Sequence, residues 1–143
     1  MQTREQQIVG AIAAQLGELE REGTRKNVPL RWSSLRSISQ SLPSMMMQHG
    51  PVQVTLFYLT KESDKDERKV LRLFQAAMLA VNPDSPLAKH GDKIDPLFKA
   101  VADQPLALNL RDHALSNEIA TWIARSIDAR YRLEESLKPG GSP

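Results

Sequence analysis

Apolar residues recur along this chain at helical intervals. In residues 3–22, Ile8, Ile12, Leu16 and Leu19 follow at spacings of four, four and three, the repeat of one helix face. Thr3 is placed to cap that helix and Gly23 to stop it, leaving 23–30 as a basic connector with Arg25, Lys26 and Pro29. Trp32, Leu35, Ile38 and Leu42 mark a second helix over 31–49. Pro43 sits inside it and predicts a kink or a break near Leu42, because proline lacks an N–H and crowds the preceding turn. Gly50-Pro51 is a helix stop followed by a residue suited to a first turn. Residues 51–61 are apolar nearly all round. Their Val-Gln-Val-Thr-Leu alternation also suits a strand, but a lone strand has no partner here, so a short third helix is predicted.

A charged loop, Glu62–Glu67, leads into a helix over 65–82 whose buried face is Val70, Phe74, Ala77, Met78 and Val81. Pro83 and Pro86 end it. A shorter helix over 86–103 carries Ile94, Leu97, Phe98 and Val101, and Pro105 breaks it. A long last helix runs from Leu110 to about Leu137, and Pro139-Gly140-Gly141-Ser142-Pro143 belongs to a disordered tail, 138–143. The sum is a single all-α domain, residues 1–137, built as a compact bundle of five or six helices.

Composition narrows the class. The chain has 143 residues, 41% of them hydrophobic and 25% charged, enough for one core. It has no cysteine, which excludes disulfides and thiolate metal sites and fits a cytoplasmic protein. No apolar run is long enough to span a membrane, and the polar start Met1–Glu5 has no signal-peptide core behind it. His49, His90 and His113 fall in three separate segments, and no glycine-rich phosphate loop occurs. Neither a catalytic centre nor a cofactor, metal or small-molecule substrate is expected.

Net charge is only +2, so the placement of the bases decides their meaning. At about 100° per residue, Lys65, Arg68, Lys69 and Arg72 share the side of their helix opposite Phe74, with no acid among them. Repeated cations along a line suit a phosphate backbone; a merely solubilising face is the plainer alternative. In the last helix Arg111, Glu118, Arg125 and Arg132 are each seven apart and form one stripe. Trp122 lies beside it, an anchor at the core edge. Glu118 either orders the indole's surroundings or bridges to an arginine on another helix, and Arg125 either stacks on the indole or reaches outward to phosphate.

Two stretches carry a resemblance. Residues 41–61 hold Leu42-Pro43, Met45–Met47, Gly50, Val52–Leu59 and Lys61 in the order of a leucine–proline turn, an apolar turn, a glycine and an apolar helix ending in lysine. The last helix holds Arg111, Glu118, Trp122, Arg125 and the small residue Ala129. In these respects the chain resembles the small helical subunit of the Cmr-type (type III-B) CRISPR effector complex, over about residues 31–129. The resemblance implies a non-catalytic subunit that stacks along an RNA-guided ribonucleoprotein used in antiviral defence. Its implied partners are other subunits, copies of itself, guide RNA and target RNA. Lys61, Lys65, Arg68, Lys69, Arg72, Arg111, Arg125 and Arg132 are the candidate RNA contacts, with Trp122, Glu118, Pro43 and Gly50 as structural residues. On that view, reversing Arg68, Lys69 and Arg72 to Glu should weaken target-RNA retention and leave the fold intact. The alternative is a protein–protein scaffold without nucleic-acid contact, for which Leu79, on the otherwise charged face, is a docking residue.

Overall fold

A computed structural model describes residues 1–139. It is 80% helical, and among the described residues there are six helices and no strand. They are α1 (Arg4–Arg25), α2 (Trp32–Leu59), α3 (Asp66–Val81), α4 (Pro86–Lys89), α5 (Ile94–Ala102) and α6 (Leu106–Leu137). The predicted all-α bundle is what forms. The tail expected at 138–143 lies, from Gly140 onward, outside the described residues.

α1 starts where the sequence places it. Thr3 and Gln6 close a capping box, with Gln6 N donating to Thr3 Oγ1 at 3.1 Å and Thr3 N to Gln6 Oε1 at 2.9 Å. Its stop lies later than Gly23. The helix runs to Arg25, and the residue with positive φ is Asn27, at 58°. Gly23 serves a close approach instead: a Cβ there would stand 2.7 Å from the Val28 carbonyl oxygen.

The predicted second and third helices are the two limbs of α2, which meet at Gly50, and no break occurs at Pro43. Gly50 has φ 81° and ψ 162°, a region essentially reserved for glycine. Pro43 stays within helical backbone. Leu42 and Met46, each 1% exposed, hold its flanks in the core, and such packing outweighs one lost backbone bond. The predicted 86–103 helix is likewise two pieces, α4 and α5, separated at 90–93. α6 begins at Leu106, directly after Pro105, a turn earlier than expected.

The bundle centres on α2 and α6, which form its most extensive helix pair. Leu35, Leu42, Met46, Val54 and Tyr58 from α2, and Leu115, Ile119, Ile123 and Ile127 from α6, all belong to one core. α3 lies inside this assembly rather than on it, packing against α1 on one side and against α2 and α6 on the other. Leu71 and Leu73 are therefore buried along with the expected Val70, Phe74, Ala77 and Met78, whereas Val81 is only half-buried. No helix is long and apolar enough to cross a membrane among the described residues.

Candidate nucleic-acid interface

The position of α3 decides the fate of its basic face. With α1 packed beside it, two of the four cations predicted to be free meet carboxylates: Arg72 that of Glu22 on α1, and Lys69 that of Asp66 at the start of α3 itself. Arg72 grips Glu22 of α1 with two parallel bonds of 2.9 Å, Nη1 to Oε2 and Nη2 to Oε1. The hydrogen bond from Arg72 is the main reason the Glu22 carboxyl is held below its ordinary range. Lys69 Nζ donates to Asp66 Oδ1 at 3.1 Å, and Arg31 Nη2 donates to the other oxygen at 3.0 Å. Asp66 is buried. Burial alone would push its carboxyl up, but hydrogen bonds from Ser34 and Lys69 and the charges of Lys69 and Arg31 outweigh that and hold it down. Arg68 donates from Nη1 to the Lys61 carbonyl at 3.2 Å, closing the turn between α2 and α3. Lys65 alone of the four is exposed with no carboxylate partner among the described residues. Lys69 and Arg72 are thus held in ion pairs within the chain, and reversing Arg72 to Glu would set two carboxylates against each other.

Lys61 lies just past the α2 limb, which ends at Leu59 and not at 61 as the sequence suggests. Its ammonium sits 4.7 Å from the centre of the exposed Phe57 ring and meets no carboxylate among the described residues. A cation over an aromatic face is weakly held when solvated and stays available to an anion.

The α6 stripe forms as predicted along one helix face, spanning about 31 Å from Arg111 to Arg132. Arg111 is exposed, with no ion-pair partner among the described residues. Glu118 bridges to another helix: Arg4 of α1 meets it at 2.9 Å. Trp122 is half-buried against the core edge, and the Arg125 guanidinium lies 5.2 Å from its ring centre while remaining exposed. Arg132 donates to Asp128 at 3.0 Å but is itself 72% exposed. Asp128 also accepts from Arg36 at 2.7 Å. That bond leads in holding its carboxyl below the usual range, so an anion could compete Arg132 away without stranding Asp128.

Several residues with polar roles were not singled out in the sequence. Arg130 bridges Glu20 of α1 and Glu134 of its own helix, at 2.6 and 3.1 Å, and stacks 5.1 Å from Trp32. Arg36 lies over Tyr131 at 4.6 Å. Asp112, only 3% exposed, accepts from Asn82 at 2.9 Å, Ser85 at 2.8 Å and Gln104 at 3.1 Å, joining α6 to the segments around α4 and α5. Arg130–Glu134 follows the four-residue spacing of helix ion pairs and was legible in principle; the others join distant segments. Asp112, His49 and His113 also line one cleft at the Gly50 bend, although the histidines come from separate helices. Among the described residues, no three His, Cys, Asp or Glu side chains are grouped to hold a metal ion.

Compared with known protein families, with curated proteins and with solved structures, the chain finds no match.

Proposed function

We propose that this chain is a non-catalytic small subunit of a Cmr-type RNA-guided effector, bracing the ribonucleoprotein and contacting its RNA through an outward row on α6. The observation that carries this reading is the pairing of Arg111 and Arg125, exposed on one helix face and opposed by no carboxylate among the described residues. Lys61 and Lys65 add two more cations at the α2–α3 turn. The packing of the two resembling stretches also supports it. Residues 41–61 and 111–129 lie on α2 and α6, the central helix pair, with Gly50 against His113.

The test is target-RNA retention by the assembled complex over a salt series. Arg111→Glu with Arg125→Glu should lower affinity and flatten the dependence on salt by about one unit of slope for each phosphate contact removed. The melting temperature should hold, since neither side chain is buried. An unchanged affinity and slope would sink the RNA-contact reading. A second reading, a scaffold without RNA contact, is favoured by Leu79, which is 54% exposed beside the groove between α1 and α3. It predicts loss of neighbouring-subunit binding in Leu79→Asp with RNA affinity per assembled complex unchanged.

A further inference from the structure

The cleft at the Gly50 bend is built from three stretches far apart in sequence: the bend of α2, the region of α4 and α5, and the start of α6. It encloses about 230 Å³. That is below the roughly 300–1,000 Å³ of sites that take a whole drug-sized molecule, so the cleft suits one flat ring system with its substituent left outside. Pro51, Val52, Leu87 and Val101 give it apolar walls, and Leu87 is 1% exposed.

Polar groups stand among those walls. Asp112 is buried, and both of its oxygens already accept: Oδ1 from Asn82, Oδ2 from Ser85 and Gln104. A carboxylate offers about four acceptor positions, so one is left. Gln104 uses its amide nitrogen on Asp112 and keeps its carbonyl oxygen free. Asn109 and His113 lie one turn apart on a half-buried flank of α6, and neither side chain has a hydrogen-bond partner among the described residues. The sequence alone hides this set, because no single element carries it.

The same groups narrow the occupant. A metal ion needs ligands that converge, and His49, Asp112 and His113 are not grouped to hold one among the described residues. An anion would meet the carboxylate of Asp112. Acceptors outnumber donors, so the ligand brings N–H groups of its own. The amide of asparagine matches the amino N–H and neighbouring ring nitrogen of adenine two for two, and carboxylates accept from amino groups on bases. Histidine is one of the side chains against which bases stack.

We infer that this cleft binds the base of an adenine nucleoside, with Asn109 pairing along its 6-amino edge and Asp112 or Gln104 accepting the second amino hydrogen. Asn109 and His113 lie about 120–160° around α6 from Arg111 and Arg125. The site therefore goes beyond the RNA-contact reading and does not depend on it, and its position favours a free nucleoside over a base from a strand held along the arginine row.

Calorimetric titration of the full chain with adenosine should show one saturable site. Inosine puts a carbonyl where the amine donates and should bind at least tenfold more weakly, a comparison that needs no variant. Asn109→Leu removes the pairing amide without taking a hydrogen bond from the fold. It should weaken adenosine at least tenfold and melt no lower than the parent. Arg111→Glu/Arg125→Glu should bind adenosine as the parent does. No saturable binding at millimolar adenosine, equal affinity for inosine, or affinity untouched by Asn109→Leu would overturn the inference. Loss of adenosine in the arginine variant would place the ligand on the α6 row and overturn it as well. The salt series with RNA stands or falls separately, since it reads the other flank of α6.

Discussion

Replacing Gly50 with alanine isolates the strain at the α2 bend. At φ 81° and ψ 162° an alanine occupies a region that costs of order 1–3 kcal/mol for residues with a Cβ. The added methyl would stand 3.4 Å from His113 Cε1 and 3.5 Å from Nδ1, close but tolerable, so the cost lies in the backbone and not in the neighbour. A loss of about 2 kcal/mol lowers the melting temperature of a chain this size by roughly 6 °C. Thermal melts followed by circular dichroism would measure it, with two companions. Gly10→Ala places its Cβ where nothing lies within 4 Å and should stabilise by about 0.5–1 kcal/mol, because that glycine is mid-helix. Gly50→Ala/His113→Ala should melt no higher than expected from the two single changes, since removing the ring does not relax the dihedral. A Gly50→Ala protein melting within about 1 °C of the parent, or one rescued by His113→Ala, would refute the backbone account.

Two further outcomes follow from the buried carboxylates. Asp66 titrates lower in the folded chain than its ordinary value near 3.9, so protons bind the unfolded chain more readily. The stability it contributes is full above about pH 5 and is lost as pH falls through the folded value. Urea midpoints between pH 7 and pH 3 should therefore fall less steeply in Asp66→Asn than in the parent, and an identical slope would rule the group out as a source of acid sensitivity. Asp112→Ala leaves donors from Asn82, Ser85 and Gln104 without their acceptor and should cost about 3 kcal/mol in urea unfolding, given ~1–3 kcal/mol for each buried polar group left unpaired. A loss below about 1 kcal/mol would mean that those donors find other partners.

The helices were readable because each buries a face with a regular apolar period. Ile8 to Leu19 on α1 and Leu115 to Ile127 on α6 show that period plainly, and both rows are buried. The Gly50 break was readable too, since glycine before proline is local punctuation. Pro43 does not break its helix, because the packing that holds its flanks comes from the core. The candidate interface divided along the same line. Trp122 with Arg125, and Glu118 with a distant arginine, were both among the arrangements the α6 spacing allowed. Lys69–Asp66 is a local pair three residues apart, but Arg72 looked free because its acid is Glu22, fifty residues away in sequence. No helical projection of α3 includes a neighbour's carboxylate, so pairing of this kind becomes visible only once α1 is laid beside it.

Roughly half of the basic residues meet a carboxylate of the same chain, and that bears on how the molecule meets a polyanion. At physiological ionic strength, fields fade over about 8 Å, and a closed pair is nearly neutral at that range. A sequence pI near 9.0 thus overstates what an approaching RNA would sense. Arg111, Arg125, Lys61 and Lys65 can hold a phosphate that has arrived, but they are too few and too dispersed to draw one in from solution at a steered rate. Under the proposed function, RNA contact by this chain is set by the assembly that carries it to the strand, with encounter left to its neighbours.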